Sequence, residues 1–152
     1  MNDAPLADAR GHRATLELTA TPDPHARSAI GDWLDSFNTS VTGIADVLPL
    51  DVLLRSEATH EVIGGLVGRT SLGVLFVDYL FVPDVLRGQG QGRRLLAVAE
   101  AEAIRRGCAT AVLFTMVIQA PGFYAKLGYE TFGRIDCEPP GNARVFMRKQ
   151  LG

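Results

Sequence analysis

Arg87-Gly88-Gln89-Gly90-Gln91-Gly92 is the stretch whose residue types bear most directly on chemistry. It follows an apolar run and opens a segment with helical periodicity. Glycines in such a turn let backbone N–H groups close on an anion, and a helix N-terminus adds positive partial charge. Arg93 and Arg94 follow in the first helical turn. Cations there oppose the helix dipole, at a cost of about 0.3–1 kcal/mol each, and a bound anion removes the conflict. A solvated glycine-rich turn is the alternative. Position 93 lacks the third glycine of a dinucleotide fingerprint, and the Gly-Lys-Ser/Thr of a P-loop is absent. Asp78 is the second residue of interest. It interrupts Val74-Leu75-Phe76-Val77 and Tyr79-Leu80-Phe81-Val82, an apolar run expected at the centre of a sheet. An unpaired carboxylate buried there costs several kcal/mol, so Asp78 faces a cleft or has a partner. Strict alternation puts it on the face of Leu80 and Val82. A carboxylate so placed can act as a base, directly or through water; the structural alternative is a pair with an arginine.

These residues need elements to hold them. Residues 1–12 read as a mobile N-terminal arm and 13–152 as one domain. Leu16 and Leu18 alternate with Glu17 and Thr19, which predicts a first strand over Ala14–Ala20. Asp23 caps a helix whose first residue is Pro24, and Ile30, Trp33, Leu34 and Phe37 give it one apolar face. On spacing, Trp33 and Phe37 belong to the core. Ser36–Asp46 reads as a loop or a short second helix, with Asn38 at its start. Strands follow over Pro49–Arg55, Val62–Arg69 and Val74–Val82, an antiparallel meander ended by Pro83. A helix runs from Gly92 to Arg106 with Leu95, Leu96, Ala99 and Ala103 inward and Glu100 and Glu102 solvated; Gly107 closes it. Ala109–Ile118 is a further strand, and strand–helix–strand in this order predicts a parallel pair. A short helix over Pro121–Leu127 and strands over Tyr129–Ile135 and Ala143–Leu151 complete an α/β chain. The last strand is expected to offer an exposed edge on which a homodimer could form.

Composition narrows the function. The chain has 152 residues and a formal net charge of −2. That suits one domain, and it lacks the basic excess that a dedicated nucleic-acid-binding module needs. No apolar run reaches the length of a membrane span, and the polar start MNDAPLADARGHR has no signal-peptide core. Cys108 and Cys137 have no second ligand at metal spacing, so no metal site or disulfide is expected and a reducing, cytoplasmic setting is.

Arg87, Gly90 and Gly92 spell R-x-x-G-x-G, and with them the chain resembles the GCN5-related N-acetyltransferase (GNAT) superfamily, whose acetyl-CoA pyrophosphate loop reads Q/R-x-x-G-x-G/A. Leu80-Phe81-Val82-Pro83 resembles the strand end that precedes that loop. Gly122-Phe123-Tyr124-Ala125-Lys126-Leu127-Gly128-Tyr129-Glu130 is similar to the second signature, one helix and one strand downstream. The resemblance covers residues 60–150 firmly and the N-terminal third loosely. It implies a GNAT fold: a mixed, mostly antiparallel sheet splayed between its fourth and fifth strands and flanked by about four helices. It implies acetyl-CoA as cosubstrate, with the pyrophosphate on the backbone of Arg87, Gly88, Gln89, Gly90, Gln91, Gly92 and Arg93 and the pantetheine arm along Leu80, Phe81 and Val82. Where many members carry an asparagine this chain has Val117, and Gln119 is the substitute.

The implied reaction is direct acetyl transfer to a primary amine of a small molecule, peptide or protein, with no metal. The amine must lose a proton, the carbonyl oxygen needs donors, and the departing thiolate needs a proton. The resemblance gives Tyr124 the part of acid, against a packing role, and leaves the base to Asp78. A catalytically idle acyl-CoA-binding sensor or interaction module of the same fold is the rival from another class. An acetyltransferase for RNA-bound amines is disfavoured by the net charge.

Overall fold

A computed structural model describes residues 10–152. They fall into two compact units that meet in sequence at Gly43 and Ile44. The expected arm lies, for its first nine residues, outside the described residues.

The first unit holds α1, Pro24–Thr42. Asp23 caps it, its Oδ1 accepting from the amides of His25 at 2.9 Å and Ala26 at 3.2 Å. The helix does not stop near Ser36 as expected. Ser40 Oγ donates to the Phe37 carbonyl and Thr42 Oγ1 to the Asn38 carbonyl, so hydroxyls that read as loop chemistry bond within the helix. Gly43, at φ +73°, closes it through its amide to the Thr39 carbonyl. No residue of α1 is buried, and Trp33 and Phe37, expected in the core, are exposed. Ala14–Ala20 forms no strand. Leu16 and Leu18 alternate but have no ladder to join, and alternation alone does not make a strand.

The second unit is a six-stranded sheet of β1 (Leu48–Arg55), β2 (Val62–Ser71), β3 (Val74–Phe81), β4 (Thr110–Met116), β5 (Glu130–Cys137) and β6 (Asn142–Gln150). The spatial order is β1-β2-β3-β4-β6-β5, antiparallel throughout except for the β3–β4 pair. The crossover between those two is α2 (Gln91–Arg105), and α3 (Pro121–Lys126) follows β4. With a 3₁₀ turn at Asp84–Leu86, the described residues hold three α-helices where about four were expected. The last strand is not an edge: the final hairpin places β6 between β4 and β5, so the edges are β1 and β5. No helix among the described residues is long and apolar enough to cross a membrane.

The core is the face of the sheet under α2. Leu66, Leu75, Leu96 and Met147 are its largest fully buried side chains. α2 turns Leu95, Leu96, Ala99 and Ala103 inward, the four its periodicity predicts, and the two alanines have no exposed area. Its C-terminal turn is tied down by charge. Glu102 accepts from Arg105 and Arg106, whose guanidinium groups hold its carboxyl down at about 2. Arg106 goes on to the Pro49 carbonyl at 3.0 Å and Thr70 Oγ1 at 3.1 Å, tying the helix to the β1–β2 edge.

Two irregularities shape the site. β3 and β4 pair only from Val74 opposite Thr110 to Val77 opposite Leu113. Beyond that β3 follows β2 to Phe81 while β4 follows β6 to Met116, so the sheet opens as a wedge. With the N-terminal strand gone, β3 and β4 are the expected fourth and fifth strands. At the same point β3 carries a bulge: Val77 pairs with Gly68 and Tyr79 with Val67, leaving Asp78 as the extra residue. Gly68 is what the bulge needs opposite it, because a Cβ there would collide with the Phe76 carbonyl.

Candidate active site

The wedge opens into a cleft of about 710 Å³. One wall is the end of β3, Leu80, Phe81 and Val82. A second is the loop into α2, with Arg87, Gly88, Gly90, Gln91, Gly92 and Arg93, and a third holds Gln119 and Tyr124. Of the residues singled out in the sequence, those eleven are brought together. Gln89 turns aside and donates from Nε2 to the Val85 carbonyl at 3.0 Å. Asp78 does not line the cleft. Leu86, Thr115, Ile118, Ala120 and Phe123 do, and sequence reasoning missed them. Phe123 lies inside the second signature; Leu86, Ile118 and Ala120 are apolar and carry no mark of function, and the Thr115 hydroxyl reads as one more polar strand residue.

The loop is built to leave amides bare. Arg87 is pinned by Nε to the Val82 carbonyl at 3.0 Å and by an ion pair to Asp84 at 2.6 Å. Gly88 and Gly90 then take φ of +73° and +79°. Gly90 is the N-cap of α2 and supplies no side-chain cap, in contrast to Asp23 of α1. The first intrahelical bond runs from the Arg94 amide to the Gly90 carbonyl at 3.0 Å. The amides of Gln91, Gly92 and Arg93 therefore have no acceptor within the helix. No acidic residue offsets this end, and Arg93 and Arg94 add charge to it. Gly92 lies against Phe123, where a Cβ would come to 3.0 Å from Cζ. The arrangement is a small concave surface of N–H donors, positive in sign and suited to a phosphate group.

Tyr124 stands across the cleft on α3. Its ring is nearly buried, edge-on to Phe123 at 5.0 Å and to Tyr129 at 5.9 Å. Burial pushes its phenol up, so it is a proton donor throughout the neutral range. Behind it lies a network the sequence did not reveal. Tyr129 donates to Glu100 at 3.0 Å, and Lys149 Nζ meets the other Glu100 oxygen at 2.6 Å. Glu100, expected on a solvated helix face, is only 14% exposed. Burial and the Glu100 charge both push the Tyr129 phenol up. Lys149→Met strands this carboxylate and is expected to lower unfolding free energy by about 3 kcal/mol. Arg134→Met breaks an exposed pair with Asp136 and is expected to cost about 1 kcal/mol or less. Urea denaturation of the two variants checks the contrast.

Gln119 closes the turn after β4. Its Oε1 accepts from the Met116 amide at 3.1 Å and from Thr115 Oγ1 at 3.2 Å, which leaves its amino group for the cleft it lines.

Asp78 corrects the alternation argument. The bulge spoils the count, and its carboxylate meets Arg69, whose Nη1 donates to Oδ1 at 2.8 Å and Oδ2 at 2.9 Å. On β2 the buried row is Leu66, Gly68 and Thr70, so Arg69 projects from the opposite face. Asp78 thus shares that face and not the one of Leu80, which packs against the core. It is also the first residue of β3 with no partner on β4, and so stands at the apex of the wedge.

Residues 52–131 match the Acetyltransferase (GNAT) domain family. The chain is 37% identical over 134 residues to an acetyltransferase of Agrobacterium fabrum, covering 88% of this chain and 97% of that protein. It is 38% identical over 113 residues to the blasticidin-S acetyltransferase of Streptomyces morookaense, covering 72% of this chain and 83% of the relative. The crystal structure of an Agrobacterium tumefaciens protein assigned to the acetyltransferases superposes with a TM-score of 0.82 at 36% identity, over 91% of this chain and all of that one.

Proposed function

The chain belongs to the GNAT acetyltransferases, and on that premise we propose that it moves an acetyl group from acetyl-CoA directly to a primary amine of a small molecule, peptide or protein. The observation that carries this reading is the meeting, in one cleft, of an uncapped helix end, an opened strand edge and a buried tyrosine.

Each part has one task. The amides of Gln91, Gly92 and Arg93, with Gly88 and Gly90 giving the backbone its turn, hold the diphosphate. Past Val77, β3 has no neighbour on its β4 side, so Leu80, Phe81 and Val82 offer main-chain groups to an extended arm, as a sheet edge does to a peptide. Gln119 offers its free amino group from the facing turn. The cosubstrate supplies an acetyl thioester. The amine nitrogen bonds to the carbonyl carbon, the C–S bond breaks, and Tyr124 protonates the departing sulfur. Asp78, at the apex of the wedge, takes the proton that frees the amine's lone pair, directly or through water, and passes it to solvent; the proton the nitrogen sheds once the C–N bond has formed returns through water to Tyr124. Cys108 and Cys137 are free thiols and have no part in this reaction.

Acetyl-CoA is expected to raise the melting temperature saturably, and an amine panel monitored by CoA release, with blasticidin S and aliphatic diamines included, is expected to show turnover. If neither acetyl-CoA nor CoA moves the melting temperature at millimolar concentration, the reading fails.

A further inference from the structure

Arg69 has no part in the reaction described above, yet it holds the one carboxylate that does. A single nitrogen, Nη1, reaches both Asp78 oxygens, so the pair lacks the parallel two-nitrogen fork that makes an arginine–carboxylate contact strong. Its side chains are 46% and 41% exposed. An exposed pair of this kind shifts an equilibrium by no more than about fivefold. The guanidinium also lies over the Phe76 ring, 4.7 Å from its centroid, which gives it a resting place when the carboxylate is taken by another cation.

We propose that Arg69 is a latch occupying the seat of the acceptor's ammonium group, and that the acceptor is therefore a primary amine that arrives protonated and displaces it. This rests on the reading of Asp78 as the base. A primary ammonium carries three donors and can match a carboxylate as well as one guanidinium nitrogen does. The exchange is of like for like, one cation for another, so Asp78 is never left unpaired. The weakness of the Arg69 contact is what makes the exchange feasible. A neutral arylamine has no charge to offer and gains nothing from the seat.

Steady-state kinetics of Arg69→Gln with an aliphatic diamine and an arylamine tests the latch. The variant is expected to lower KM for the diamine about two- to fivefold and leave KM for the arylamine and for acetyl-CoA unmoved, with Arg69→Lys restoring the wild-type diamine value. Asp78→Asn is expected to abolish the preference for the diamine. A diamine KM that is unchanged or higher in Arg69→Gln, while the wild type turns over, overturns the latch alone. A wild type that acetylates no amine overturns the function beneath it. Should Arg69→Gln not fold, Arg69→Met gives the same comparison, and wild-type enzyme preferring the arylamine is by itself enough to discard the proposal.

Discussion

Tyr124→Phe is expected to lower kcat by about 100-fold or more while leaving the affinity for acetyl-CoA unchanged, because positioned general acids contribute about 10²–10⁴ in rate. The substitution removes one oxygen and nothing else. The ring keeps its edge contacts to Phe123 and Tyr129, and the loop proposed to hold the diphosphate lies on another element. Burial raises the Tyr124 phenol above the usual tyrosine value of about 10. An acid works only while protonated, so a raised value extends activity upward, and the alkaline loss of kcat attributable to this group comes above about pH 10. Stopped assays of CoA release across pH, with calorimetry for acetyl-CoA binding, measure both. Unchanged turnover in the variant removes Tyr124 from the chemistry. No turnover in the wild type, with intact acetyl-CoA binding, turns the assignment to an acyl-CoA sensor.

Gly90→Val attacks the other half of the site. At φ +79° a β-branched residue strains the backbone by about 1–2 kcal/mol. A Cβ at this position meets nothing within 4 Å, so the damage is not a clash within the protein. It places a branched side chain in the open space beside the bare amides and displaces the turn that aims them. Loss of one charge-assisted hydrogen bond costs about 1.5–3 kcal/mol, and acetyl-CoA affinity is expected to fall about 30-fold or more. Gly107 supplies the control, since it has φ +84°, equally open surroundings and the opposite end of the same helix. Gly107→Val should melt earlier to a similar degree and bind acetyl-CoA as the wild type does. Equal affinity loss in both variants would locate the effect in helix stability, and not in the loop.

Much of this architecture is written in local pattern. The inward stripe of α2, the cap at Asp23, the left-handed glycines of the loop and the helix-to-strand return that makes β3 and β4 parallel all follow from residues a few positions apart. Periodicity and turn chemistry act at that range, so the sequence by itself determined them. The signature around Tyr124 is of the same kind, and it lay where the helix places it.

What failed depended on a partner far along the chain. Leu16 and Leu18 have the alternation of a strand, and no neighbouring strand takes them up. Glu100 reads as one more solvated helix charge until Lys149, 49 residues on, and Tyr129 close over it. β6 is internal because β5 lies outside it, an order no local pattern specifies. Asp78 shows the reason most plainly. Alternation assigns faces by counting along one strand, but the count holds only while the neighbouring strand keeps step. One extra residue opposite Gly68 moved the carboxylate to the other face, into the reach of Arg69 and to the apex of the wedge. Its type and position were determined by sequence; its face and its partner were decided by the register of two strands, which exists only once they are paired.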